Sequence, residues 1–298
     1  MLASLLASLR QRAVPDGGFS NTRGGGFQVD STAWAILALS AANADPDLAD
    51  RARTSLAGRQ RTDGRVCISP DHPEAFWPTP LAALAWRGSP AHREAQSRAA
   101  RFLLDTAGRH WRKRADSPLT HDTSIRGWPW IADTHSMVEP TSLALIALRA
   151  SGFGRHERSR EGVRMLADRR LPGGGWNYGN TMVYGQELYP QVLDTGLALT
   201  ALAGDVPREE VRSSLEYLET SIRALRTPLS LGWGLLGLAA WGRRPASAEE
   251  WIGESIRRQE RHGPYDSTLL SLLVLALRSR EGKPAGAFGM GEEGIVAH

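Results

Sequence analysis

The sequence is short of sulfur, of lysine and of long apolar runs, and each shortage excludes something. A single cysteine, Cys67, permits no internal disulfide and fits a reducing compartment. No apolar run approaches the roughly 20 residues that a membrane-spanning helix needs. The opening segment, Met1 to Arg10, is apolar but has no basic start and no suitable cleavage site after it. It reads as an amphipathic helix rather than a secretion signal. The expectation is a cytoplasmic protein, with a peripheral membrane contact left open.

Positive charge is in slight excess, a net +4 with an isoelectric point near 9.6, and it is almost entirely arginine. The arginines are scattered over segments expected to form outer helices, such as Arg93 to Arg101 and Arg155 to Arg164, and are densest from Arg109 to Arg114. That distribution reads as a solvated face, and no nucleic-acid partner is expected. Hydrophobic content of 41% and charged content of 23% are those of an ordinary globular chain with enough length to bury a large core.

What is present is a repeat. A polar or acidic residue, often with Ser or Thr beside it, opens an Ala- and Leu-rich run in Asp30 to Leu39, Glu139 to Leu148, Asp194 to Leu202 and Asp266 to Leu275. Two degenerate copies occupy Trp77 to Ala85 and Ser230 to Ala239. Upstream of several copies a helix end bearing Gln or Arg meets a Gly-rich turn: Gln11 before Gly17, Gln60 before Gly64, Arg169 before Gly173 and Gln259 before Gly263. Glycine past a helix end supplies the left-handed C-cap, and Asp, Ser or Thr before the next run supplies an N-cap. Amphipathic charged segments, such as 91–104 and 209–225, alternate with the apolar runs. A helix apolar on all sides must be buried. Six such inner helices alternating with six outer ones predict an all-α (α/α)6 toroid of helix hairpins around a central cavity, over residues 1–280. A Gly-rich tail, 281–298, follows.

At these blocks the sequence resembles the prenyltransferase and squalene-oxidase repeat family, which includes terpene cyclases and protein prenyltransferase β subunits. Gln11 with Gly17-Gly-Phe19, Gly173-Gly-Gly-Trp176 and Asp194-Thr-Gly-Leu-Ala198 carry the resemblance, which extends over residues 1–279. A narrower likeness, to a bacterial subgroup, lies in Gly127-Trp-Pro-Trp130, Thr134-His-Ser136, Glu139-Pro-Thr141 and Gly173 to Asn180. The family implies an α/α toroid with an isoprenoid-binding cavity. The departures concern its chemistry. The proton-donating Asp of the cyclase Asp-x-Asp-Asp motif is replaced by Leu193, Val138 or Val29, depending on the copy. The Asp-Asp-x-x-Asp metal motif is missing, and Cys67 lies in a loop segment, away from the zinc position of protein prenyltransferases.

Candidate chemistry concentrates in two segments. Asp30, Asp194 and Asp266 suit the N-cap role, worth about 1 kcal/mol each. Glu139 does not, being a poor cap followed by Pro140, and its longer side chain is a candidate acid. The longest interval between inner blocks holds His121, Asp122, Trp128, Trp130, Asp133 and His135. Asp133 and His135, two apart, are candidates for orienting one another in acid–base work; an ordinary loop plugged by its tryptophans is the alternative. Trp128, Trp130, Trp176, Asn177, Tyr178, Asn180, Tyr184, Gln186 and Asp194 are candidates for binding substrate, as aromatics with a few converging polar groups. His121, Asp122, Asp133, His135 and Glu139 are of ligand type, but their spacing matches no metal motif, and neither metal nor cofactor is expected. Trp34, Trp86, Trp233 and Trp241 are read as core or, under the resemblance, as a cavity wall facing a carbocation.

The leading expectation is therefore an enzyme of terpene-cyclase or prenyltransferase kind, acting by acid catalysis on a small apolar molecule, an isoprenoid, in an aromatic-lined cavity. One alternative is a toroid that binds lipid, isoprenoid or a partner without catalysis. The other is a carbohydrate-active (α/α)6 enzyme, a class that also uses paired carboxylates and aromatic platforms.

Overall fold

The structure, a computed structural model, describes residues 1–279 apart from 115, 116 and 118. The Gly-rich tail expected at 281–298 lies outside the described residues. Thirteen helices are described: α1 Leu2–Arg10, α2 Val29–Ala41, α3 Pro46–Ala57, α4 Thr79–Trp86, α5 Arg93–Asp105, α6 Val138–Ala150, α7 Glu157–Asp168, α8 Val192–Leu202, α9 Arg212–Ser221, α10 Pro228–Ala240, α11 Ala248–Arg257, the single turn α12 Gln259–His262, and α13 Ser267–Arg278. Two small hairpins interrupt the loops, β1 Ala13–Val14 with β2 Gly18–Phe19 and β3 Met182–Val183 with β4 Gln186–Glu187.

The inner helices are α2, α4, α6, α8, α10 and α13. Each packs on the next, and α13 packs back on α2, so the ring is closed. The first outer helix, α1, lies against the last inner one. Two hydrogen bonds near the ring's seam join chain start to chain end: Arg12 donates to Tyr265 O at 2.6 Å and Ser267 Oγ to Ser20 O at 2.6 Å. This is the (α/α)6 toroid that the repeat predicts. The outer helices carry one apolar stripe each, for example Ala95, Ala99, Ala100 and Leu103 of α5, while the inner ones are buried on nearly every side. Helices α8 and α10 approach closest: a Cβ on Gly196 would sit 2.3 Å from Trp233 O, and one on Gly237 would sit 2.6 Å from Gly196 O. Only glycine allows that backbone contact. Trp34 of α2 and Trp233 of α10, on the two helices flanking α13, meet edge to face inside the ring with centroids 5.8 Å apart.

The device that builds the repeat is threonine. Thr32, Thr79, Thr141 and Thr195, in the first turns of α2, α4, α6 and α8, each accept the backbone N–H of a loop residue at 2.9 Å: Phe19, Val66, Trp128 and Trp176 respectively. Each hydroxyl is also placed to donate back to that residue's carbonyl, at 3.1–3.5 Å. Each loop is thus pinned like an extra strand residue across the start of its inner helix. The glycine before three of the pinned residues, Phe19, Trp128 and Trp176, follows from this: a Cβ on Gly127 would lie 2.4 Å from Thr141 Oγ1.

The acidic residues have a different place from the one expected. Only Asp266 is an N-cap, its side chain accepting from Leu269 N at 2.8 Å. The cap positions of α2, α6 and α8 are Gln28, Met137 and Gln191, so Asp30, Glu139 and Asp194 stand inside the first turn. Asp30 and Asp194 thus do not hold the N-cap positions expected of them, though each still accepts a nearby backbone N–H.

Candidate active site at the mouth of the ring

Because every inner helix is entered from a Thr-pinned or equivalent loop, the helix N-termini gather at one end. That end, the mouth, holds Asp30, Glu139, Asp194 and Asp266, and the carboxyls interact in two pairs. Glu139 of α6 and Asp194 of α8 are on neighbouring helices, as are Asp30 of α2 and Asp266 of α13.

Burial dominates the electrostatics of the first pair. It pushes the Glu139 carboxyl up to about 8, with the negative charge of Asp194 adding to the rise. Asp194 is pushed up to about 6 by burial, partly offset by its own backbone N–H. Burial also raises Asp30, and backbone N–H groups of Ser31 and Asp30 oppose the rise. The positive ends of the helix dipoles favour the charged forms, but no positive side chain among the described residues compensates Glu139 or Asp194, and desolvation wins. Glu139 therefore keeps its proton at neutral pH while Asp194 is largely ionised. Two carboxyls with separated proton affinities can serve as acid and base of one reaction.

The loop residues divide into core and rim. Trp128 and Trp176 are fully buried, and their indole N–H groups donate to Leu103 O at 2.8 Å and Leu166 O at 2.7 Å. Trp128 is also covered by the Arg158 guanidinium, 3.7 Å from the ring centroid. Both are packing residues, closed to a ligand by these contacts. Asn177 is buried and builds its own turn: Oδ1 accepts from Gly179 N and Asn180 N, and Nδ2 donates to Asn180 O and Tyr189 O. Asn180 is half-buried in that turn. Trp130, half-buried, meets Trp77 edge to face at 5.5 Å.

Tyr178, Tyr184 and Gln186 are exposed on the rim, Tyr184 at the tip of the β3–β4 hairpin with φ of 50°. Asp133 and His135 are exposed as well, with no hydrogen bond joining them. His135 instead lies against Trp111, ring centroids 5.0 Å apart. Asp133 and His135 thus lie outside the buried acid pair, on the segment leading into α6. Among the described residues no cluster of three or more His, Cys, Asp or Glu is arranged to hold a metal ion.

Sequence reasoning named Tyr178, Tyr184 and Gln186 of the rim but not Trp111 or Ile131 as part of it. Of the seven exposed large apolar side chains among the described residues, five lie on the two loops preceding α6 and α8: Trp111, Ile131, Tyr178, Tyr184 and Tyr189, the last 87% exposed. The loops are zipped together by a bridge between Leu119 and Val183 and by Thr120 with Thr181 at 2.9 Å. No local sequence signal gives that pairing, because its partners are some 60 residues apart.

The fold and mouth define the class, a six-hairpin α/α toroid with buried carboxyls at one end. Comparison with known proteins bears on what such toroids do. No protein-family model matches the chain. No curated protein matches it in sequence. Solved structures do match. The α-1,6-mannanase of Salegentibacter sp. is similar over 93% of this chain and 98% of its own, at 12% identity and a TM-score of 0.64, both alone and as an inactive variant bound to α-1,6-mannotriose. An α-amylase from Clostridium perfringens matches over 94% and 98%, at 11% identity and a TM-score of 0.63. A protein from Actinoplanes matches over 94% and 99%, at 16% identity and a TM-score of 0.61.

At these identities the likeness shows the fold, and it corrects the partner expected from sequence. Two of these neighbours, the mannanase and the α-amylase, are named for carbohydrate substrates, and the one with a bound molecule holds a mannotriose, so an isoprenoid partner is set aside. Physically, the apolar inner helices that suggested an isoprenoid cavity pack on one another, and polar carboxyls occupy the mouth. No helix among the described residues is long and apolar enough to cross a membrane.

Proposed function

We propose that the mouth binds a saccharide and that Glu139 donates a proton to it, with Asp194 as the partner carboxylate, in the hydrolysis of a glycosidic bond. The observation that carries this reading is the pair itself: half-buried Glu139 and buried Asp194 on adjacent helices, one held protonated to about pH 8 and the other titrating near 6. A glycosidic oxygen leaves as an alcohol only if protonated, and a carboxyl neutral at working pH supplies that proton. The exposed tyrosines and Trp111 offer flat apolar faces of the kind on which sugar rings stack.

One observation favours a binding toroid without hydrolysis. The inactive mannanase variant has two consecutive aspartates changed to asparagine, and this chain has no consecutive aspartates anywhere. Of its adjacent carboxylates, Glu209-Glu210 and Glu249-Glu250 are on the outer layer and Glu292-Glu293 lies outside the described residues.

Reducing-end release from α-1,6-mannotriose, maltotriose and their longer homologues tests both readings. Hydrolysis abolished in Glu139→Gln and Asp194→Asn, with folding intact, supports the acid pair. Binding without release in the wild type supports the binding toroid. Neither binding nor release overturns the saccharide reading.

A further inference from the structure

Beside the acid pair the rim carries a groove of about 540 Å³ whose walls include Arg109, His110, Trp111, Asp133 and His135. It is a built feature. Arg109 N donates to Thr134 O at 2.8 Å, and Gly108 packs so closely on Ser136 that a Cβ there would lie 2.4 Å from the hydroxyl. Trp111 N donates to Thr123 O at 3.0 Å and Thr123 Oγ1 donates to Trp111 O at 2.9 Å, fixing the backbone of Trp111 with its indole 41% exposed. The same wall runs on from His135 into the first turn of α6, where Glu139 stands, so groove and acid pair adjoin along one stretch of chain.

The charge on this side of the mouth is positive. Arg109, Arg112, Lys113 and Arg114 lie within six consecutive exposed residues, and neither Arg109 nor Arg112 is engaged in an ion pair. Nearby, His121 is buried with Nδ1 lacking any hydrogen-bond partner. Burial, then the positive charges of Arg169 and Lys113, hold it neutral, its pKa pushed down to about 4. Asp133 is the single acid on the groove wall. The mouth itself is acidic, so a ligand spanning both regions meets opposite fields at its two ends.

We propose that this groove is a subsite for a sugar unit bearing a carboxylate or phosphate, belonging to a saccharide whose neutral neighbouring unit lies over Glu139 and Asp194. The proposal rests on the saccharide reading of the mouth. Arg109 on the groove wall pairs with the anion, Arg112 beyond the wall adds positive charge to the same side, the exposed Trp111 face takes the apolar side of the sugar ring, and Asp133 accepts from hydroxyls. The carboxyls of the mouth repel the anion, which fixes the direction in which the chain lies.

Calorimetric titration with four probes tests it: trigalacturonate, mannotriose carrying a terminal 6-phosphate, and neutral maltotriose and α-1,6-mannotriose. The wild type is expected to bind at least one anionic probe about tenfold more tightly than either neutral one, and to lose that margin in about 0.5 M NaCl. The carboxylate and phosphate arms identify which anion is read. The double variant Arg109→Ala with Arg112→Ala removes the margin and leaves neutral binding unchanged, while Trp111→Ala weakens all four. Equal binding of neutral and anionic probes, or a margin surviving the double variant, overturns the subsite and leaves the saccharide reading standing. Failure of all four to bind overturns both.

Discussion

Glu139 and Asp194 stand in the first turns of adjacent inner helices, and the charge of Asp194 adds to burial in holding the proton on Glu139. That relationship gives the pH behaviour a definite sign. Folding raises the Glu139 pKa from 4.5 to about 8. Between those values the folded chain holds a proton that the unfolded chain has released, so this group's contribution to stability is fullest below about pH 4.5 and is lost as pH rises through 8. Urea unfolding of Glu139→Gln is expected to show the variant more stable than wild type at pH 8, by about 2–3 kcal/mol, with the gap closing toward pH 4.5.

Asp194 contributes with the same sign over a lower window, since its pKa rises from 3.8 to about 6. Asp194→Asn is expected to stabilise the chain at pH 7 and to lower the Glu139 pKa by removing the neighbouring charge. Urea unfolding at pH 7 and the Glu139 titration midpoint in this variant check the two effects.

The threonine pins predict cost without chemistry. Thr141→Val removes an acceptor from the buried N–H of Trp128, and Thr195→Val does so for Trp176. Each is expected to lose about 1–3 kcal/mol in denaturant unfolding. Because the pins do not touch one another, the double variant is expected to lose the sum.

These pins also show how the sequence reveals the fold while disguising its reason. Ser or Thr beside an acidic residue marks four of the inner-helix starts, and the apolar content of the six runs marks them all as inner. The acid looks like the cap and the threonine like its companion. In the structure the threonine ties the loop to the helix and only Asp266 of the four acids is a cap, an arrangement whose threonine contacts reach 13 or 19 residues away. Glu139 was legible as a candidate because Glu followed by Pro suits a cap poorly. Its coupling to Asp194 was not, because it needs the lateral order of the helices. Trp128 and Trp176 looked like ligand platforms, yet their indoles serve helix-end carbonyls in the core.

Helix spacing is set where α8 meets α10. Gly196→Ala forces a methyl to 2.3 Å from Trp233 O, a backbone atom that cannot rotate away. The expected loss is about 3 kcal/mol or more, read as a lower urea midpoint. The alanine variant of Gly152, where an added Cβ meets nothing within 4 Å but φ is +86°, is expected to lose only about 1 kcal/mol.

Arg158 is buried over Trp128 and donates to the carbonyls of Thr106, Arg126 and Gly127 at 2.6–3.3 Å. Arg158→Met takes the guanidinium from the Thr106 and Arg126 carbonyls and removes the second cation beside Glu161, which Arg126 still pairs at 2.9 Å, while Gly108 N still serves Gly127 O. A loss of about 3–5 kcal/mol is expected in unfolding experiments, along with loosening of the loop that carries the rim groove.

The central claim is that Glu139 keeps its proton through neutrality, and it is open to direct observation. Carbon-13 labelling of glutamate side-chain carboxyls, followed by NMR from pH 4 to pH 9, assigns Glu139 as the resonance missing from Glu139→Gln. A titration midpoint near 8 is predicted, falling when Asp194 is replaced by Asn. A midpoint near 4.5 would contradict the account, for a carboxyl already ionised at neutral pH has no proton to give.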